Sequence, residues 1–156
     1  MSININKGEH KLGWAEGAIP FREPESFDIG GSAVVQIHGK TRVLFIWGNA
    51  VVDLYDEVAE EVWIWGGTLR LHVKCNVRQS GGTVYSNGTG SMVSVEKHGI
   101  AYAQPGDQIR GYGEARIYAP QGTSVSLCGY AQHHLPDGTV RGNTDTYRGG
   151  YCLSVR

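Results

Sequence analysis

Leucine is scarce in this chain, and no long Ala/Leu/Glu/Lys window appears, which argues against an α-helical protein. No run approaches the roughly 20 apolar residues that carry a helix across a bilayer. A dominant charge is missing too. Fourteen Lys and Arg against fifteen Asp and Glu leave a net charge of −1, so no overall field draws the protein to nucleic acid or to an anionic membrane. Three cysteines are too few for a scaffold built on disulfides, and 156 residues bury enough surface to fold without a metal or cross-link. The opening Met1-Ser-Ile-Asn-Ile-Asn-Lys lacks the charged-then-apolar plan of a signal peptide. The compartment stays open, with a secreted mature form or a particle component preferred to a cytoplasmic protein.

What the chain does have is glycine and aromatic residues: 23 Gly, 8 Tyr and 4 Trp suit short strands and tight turns. The clearest stretch is Thr68 to Arg78. Leu69, Leu71, Val73, Cys75 and Val77 alternate with Thr68, Arg70, His72, Lys74, Asn76 and Arg78, the period of a strand with one dry and one wet face. Ser124 to Leu135 reads as the second long strand, and Val43 to Trp47 as a strand covered on both faces. Gly66-Gly67 suits a type I′ hairpin, with a bulge as the competing reading. Gln104-Pro105-Gly106-Asp107 and Pro136-Asp137-Gly138 are turn signatures, the second a hairpin loop into Thr139 and Val140. A helix of at most two turns is conceivable only within Asp53 to Glu61.

Turn signals every 8 to 12 residues predict an all-β protein, a single antiparallel β-sandwich of Greek-key or jelly-roll type, with a small β-barrel as the alternative. Residues 1–31 read as an extended N-terminal arm or first strand and 32–156 as the domain, with no convincing internal repeat.

The motifs for chemistry are sparse. His10, His38, His72 and His98 stand alone, and His133-His134 point to opposite faces of a strand, so no metal site and no cofactor are predicted. Gly88-Thr89-Gly90-Ser91 lacks the setting of a catalytic serine elbow, and no catalytic residue is assigned. The basic row Arg70, His72, Lys74 and Arg78 could meet anions, but the acidic Asp53–Glu61 segment can neutralise it across the sheet.

Trp63 and Trp65, two apart, share one strand face: either a flat platform for a sugar ring or, with Trp47, part of the core. Together with Tyr130, His134, Asp137, Asn143, Asp145 and Tyr147 they form the predicted ligand-binding set. Cys128 and Cys152 share strand parity near the C-terminus and form a candidate disulfide.

The expected function is non-catalytic surface recognition of a carbohydrate or protein ligand. A structural or assembly protein (virion, tail or coat component) that forms a homo-oligomer through its N-terminal arm is one alternative. A small all-β enzyme with a histidine-containing pocket is another.

Overall fold

The computed structural model describes residues 2–142 and the backbone of a final strand at 152–155. Eighteen short strands follow one another: β1 Ser2–Ile5, β2 Glu9–Gly13, β3 Glu25–Ile29, β4 Val34–His38, β5 Thr41–Ile46, β6 Val51–Leu54, β7 Val58–Ile64, β8 Thr68–Leu71, β9 Asn76–Gln79, β10 Thr83–Tyr85, β11 Met92–Val95, β12 Ile100–Tyr102, β13 Gln108–Gly111, β14 Arg116–Tyr118, β15 Ser124–Cys128, β16 Gln132–His134, β17 Val140–Gly142 and β18 Cys152–Val155. The described residues contain no helix, and so none long and apolar enough to cross a membrane.

The odd-numbered strands to β15, closed by β18, make a first nine-stranded sheet. The even-numbered strands, closed by β17, make a second. Within each sheet neighbouring strands run parallel, and only the closing pairs β15–β18 and β16–β17 are antiparallel. The chain therefore coils as a β-solenoid, stepping from one sheet to the other at each corner from β1 to β16. This overturns the antiparallel sandwich and the barrel. Short strands punctuated by turns are common to all three architectures, and what differs is whether a turn reverses the strand or carries it to the facing sheet.

Parallel stacking places equivalent residues directly above one another. In the first sheet Phe27, Leu44, Val62, Val77, Val93, Ile109 and Val125 form one inward column. Facing them in the second are Val35, Val52, Leu69, Val84, Ala101 and Ile117, ending on His133. All of these are buried, and each large aliphatic among them contributes about 1.5–3 kcal/mol by leaving water. The first column advances in steps of 15 to 18 residues, a repeat the sequence reading did not find. The inward positions accept any of several apolar residues, and corners of unequal length shift the phase.

The alternation in Thr68–Arg78 does mark burial: Leu69, Leu71, Cys75 and Val77 are inside. The stretch is not one strand, however. β8 lies in the second sheet and β9 in the first, with a corner between them that keeps the same side inward. Ser124–Leu135 divides in the same way into β15 and β16. Gly66-Gly67 is likewise a corner between β7 and β8, and only Gly67 has positive φ, so the type I′ hairpin is not formed. The helix considered at Asp53–Glu61 is replaced by the end of β6 and the start of β7. Val43–Trp47 is covered on one face only, because Phe45 and Trp47 point outward. Within residues 1–31, β1, β2 and β3 join the two sheets and carry core residues such as Ile5, Leu12 and Phe27. The hairpin at Pro136-Asp137-Gly138 forms as predicted, joining antiparallel β16 and β17, with the Thr139 amide donating to Asp137 Oδ1 at 2.8 Å.

One corner explains much of the glycine. Gly48 and Gly67 have positive φ, and a Cβ on Gly67 would stand 2.4 Å from the Ala50 carbonyl oxygen. At the equivalent corner after β11 the left-handed residue is Lys97, φ 54°.

Candidate functional site

Outward residues stack by the same register as inward ones. On the first sheet one outer row runs Phe45, Trp63, Arg78, Ser94, Arg110, Ser126. A parallel row runs Trp47, Trp65, Ser80, Glu96 and Tyr112, as the backbone bonds from each of these amides to the preceding strand show. Both rows lie along the solenoid axis, with a strand-to-strand rise of about 4.8 Å.

At one end the rows form an aromatic platform. Phe45 and Trp65 stack with ring centroids 5.4 Å apart and planes 3° from parallel, and Trp63 lies 6.4 Å from Trp65. The Arg78 guanidinium covers Trp63 at 5.1 Å from the ring centroid. The Trp47 indole lies across Gly30, where an added Cβ would come within 1.9 Å of the ring. Its N–H donates to the Asp28 carboxylate, and that of Trp63 donates to Glu61 Oε2 at 2.9 Å. Trp65 differs: 52 % of its surface is exposed, and its indole N–H meets no acceptor among the described residues. The three indoles therefore do not fill the core, which the aliphatic columns occupy.

Beyond the platform the surface becomes a shallow polar groove. One hollow of about 280 Å³ is lined by Trp63, Arg78, Ser94 and Tyr112 among others, and the next, about 300 Å³, by Gln108, Arg110, Tyr112, Ser124 and Ser126.

The outer face of the second sheet carries two ring ladders. Tyr85, Tyr102, Tyr118 and His134 stack at 4.7, 4.9 and 4.6 Å, and His38, Tyr55 and His72 at 4.2 Å for each step. These spacings match the rise between parallel strands, so ring stacking comes without distortion of the sheet. Asp53 sits beside the second ladder, 3.0 Å from His72 Nε2 and 3.4 Å from Arg70 Nη1. The acidic segment thus does neutralise part of the basic row, while Arg78 has gone to the other sheet.

The predicted ligand set is accordingly divided. Trp63 and Trp65 share the first outer face, whereas His134 belongs to the ladder on the second. Tyr130 lies in the corner before β16 and Asp137 in the β16–β17 hairpin, both exposed. Asn143, Asp145 and Tyr147 lie outside the described residues. The adjacent histidines take opposite faces as expected. His133 is sealed in the core with Nε2 2.9 Å from the Ala119 carbonyl oxygen, and His134 faces out, so the two do not meet in one pocket. Burial foremost, and then Arg141, holds the His133 pKa below its ordinary value, with the Ala119 bond opposing. His134 is lowered by burial, then by Arg116 and His133. Among the described residues no group of three His, Cys, Asp or Glu side chains is placed to hold a metal ion. Cys75 is free and buried, and burial pushes its thiol up to about 11. Cys128 and Cys152 are Cα partners across β15 and β18.

Two functional-looking residues escaped the sequence reading. Arg110 belongs to none of the sequence motifs, and only the 16-residue step from Ser94 to Arg110 and on to Ser126 sets it in a row with Arg78. Asp107 appeared as a turn residue. It is buried and accepts hydrogen bonds from Ser86 Oγ and from the amides of Gly88, Gly90, Ser91 and Gln104, tying two loops together. Its role is structural.

Comparison of the chain with protein-family models, with curated proteins and with solved structures gives no match.

Proposed function

We propose that this solenoid is a non-catalytic recognition module and that its ligand is a carbohydrate held on the outer face of the first sheet. The observation that carries this reading is Trp65, half exposed and stacked on Phe45, with an indole N–H that no acceptor among the described residues uses. Flat indole surface covers the apolar face of a sugar ring, and the spare N–H can donate to a hydroxyl. Exposed aromatic rings gathered on a rigid sheet also lose little side-chain entropy on binding.

A glycan array probed with the native protein tests this, with tryptophan fluorescence as the second readout. A hit that shifts the emission and is lost in Trp65→Ala supports the module. A blank array, or hits that Trp65→Ala leaves unchanged, removes the carbohydrate reading, and capture of a protein partner sensitive to Trp65 replaces it.

A second reading, self-assembly, is favoured by the N-terminal end. β1 ends the first sheet, and Ile3, which stands over the inward column above Phe27, is 37 % exposed. A sheet edge of this kind can take another strand. Light scattering that shows a stable oligomer, dissociated by Ile3→Asp, supports this; a monomer at high concentration removes it.

A further inference from the structure

We propose that the ligand of the first outer face is an acidic polysaccharide whose chain lies along the solenoid axis, with its anionic groups meeting Arg78 and Arg110. This rests on the carbohydrate reading of that face.

Direction comes first. Every outer row runs along the axis, and the two hollows continue one another from Trp63 to Ser126, sharing Tyr112. A linear chain follows this groove, whereas a compact ligand would leave most of it empty.

Charge comes second. In the row beyond Trp63, arginine and serine alternate: Arg78, Ser94, Arg110, Ser126. The two arginines stand two strands apart, on the order of 10 Å. That distance is comparable with a disaccharide, so a chain with an anion on every second sugar presents one to each arginine. The serines between them supply hydroxyls for the intervening ring. A guanidinium binds carboxylate or sulfate through two parallel N–H donors, which fixes orientation as well as charge.

The arginines are also available. Both are exposed, and among the described residues neither forms an ion pair. The nearest carboxylate in sequence to Trp63, Glu61, accepts the Trp63 N–H. Glu96 lines the first hollow from the neighbouring row, so that hollow carries one carboxylate beside Arg78, whereas the second, around Arg110, is lined by no carboxylate among the described residues. With a net charge of −1 the protein supplies no broad attraction, so discrimination depends on these two side chains.

The test uses surfaces coated with hyaluronate, alginate, polygalacturonate and chondroitin sulfate, each beside its carboxyl-reduced or desulfated neutral counterpart. The proteins are the native chain, Trp65→Ala, Arg110→Gln, Arg78→Gln/Arg110→Gln and, as a charge control on the other sheet, Arg116→Gln. At least one acidic polymer is expected to bind about tenfold or more tightly than its neutral form. Arg110→Gln should erase most of that difference, and Arg116→Gln should leave it. Equal binding of acidic and neutral forms, still lost in Trp65→Ala, overturns the acidic ligand and leaves the carbohydrate module standing. Loss of selectivity in Arg116→Gln equal to that in Arg110→Gln overturns it as well, since the attraction is then diffuse. No binding to any of these polymers or to the glycan array removes both readings.

Discussion

Arg78 lies over the indole of Trp63, with its guanidinium carbon 5.1 Å from the ring centroid, and the two are Cα partners in adjoining parallel strands. The contact holds a cation at the junction between the aromatic platform and the polar groove. It also shows how this fold makes surfaces: residues 15 apart in the chain become neighbours one strand apart.

The two sides of β7 should respond differently to truncation. Ile64 is fully buried in a column, and Ile64→Ala is expected to cost about 2–5 kcal/mol. Trp65, next in the chain, gives up only surface stacking, and Trp65→Ala should cost about 1 kcal/mol. Urea unfolding of both variants checks this, and equal losses would contradict the outward placement of Trp65.

Asp107 should be among the most sensitive polar positions. Asp107→Ala strands four backbone amides and leaves the Ser86 hydroxyl only the Tyr102 carbonyl oxygen at 3.2 Å, and an expected loss of about 3–5 kcal/mol follows from removing a buried carboxylate acceptor. Asp107→Asn keeps one acceptor oxygen and should fall between. Thermal melting orders the three proteins.

Lys97 occupies a left-handed corner position where the coils before and after it use glycine. Lys97→Gly should stabilise the fold by up to about 1 kcal/mol, because the strain of a side chain at positive φ exceeds the extra chain entropy of glycine. An unchanged or lower melting temperature would count against strain at this corner.

Acid should destabilise the protein through its histidines. His38, His133 and His134 all have pKa values below the ordinary 6.5, burial being the largest cause in each. The unfolded chain then binds protons that the folded chain refuses. Their stabilising contribution is complete above pH 6.5 and declines as pH falls below it toward the folded values. His133→Gln, which can still donate to Ala119, should flatten the loss of stability between about pH 7.5 and about pH 5. A slope identical to that of the native chain would exclude His133 as its source.

Cysteine chemistry provides a further check. We propose a Cys128–Cys152 disulfide on the ground of their cross-strand register. Thiol counting on the denatured, unreduced protein should find one free group, Cys75, and three would dismiss the bond. In the native state Cys75 should label slowly at about pH 8, since its thiol is buried with a pKa of about 11.

The strand content was legible because alternation reports burial whatever the topology. Leu69, Leu71 and Val77 declared themselves inward from sequence alone. What could not be read there was the corner at His72–Cys75, since alternation carries on around it while the chain changes sheets. The sandwich reading failed at that point. The platform was half legible: the spacing of Trp63 and Trp65 put both on one face, but whether that face was dry depended on which sheet lay behind it. Arg110 was invisible because its partners are 16 residues away in each direction, and a period that drifts between 15 and 18 hides such relationships. His134 belonged to the expected set, yet parallel stacking placed it on the opposite sheet from Trp63 and Trp65, beside Tyr118.

The steady advance of the coils makes the protein a ruler. Met92 to Asp107 spans one stride of sixteen residues, after which Gln108 stands where Met92 stood. Copying such a stride into the chain would lengthen the outer face by one strand and leave every other stride in place. Reach can therefore change by whole increments without redesigning the interior, and a long partner is met by counting along it, where a globular receptor must close around it.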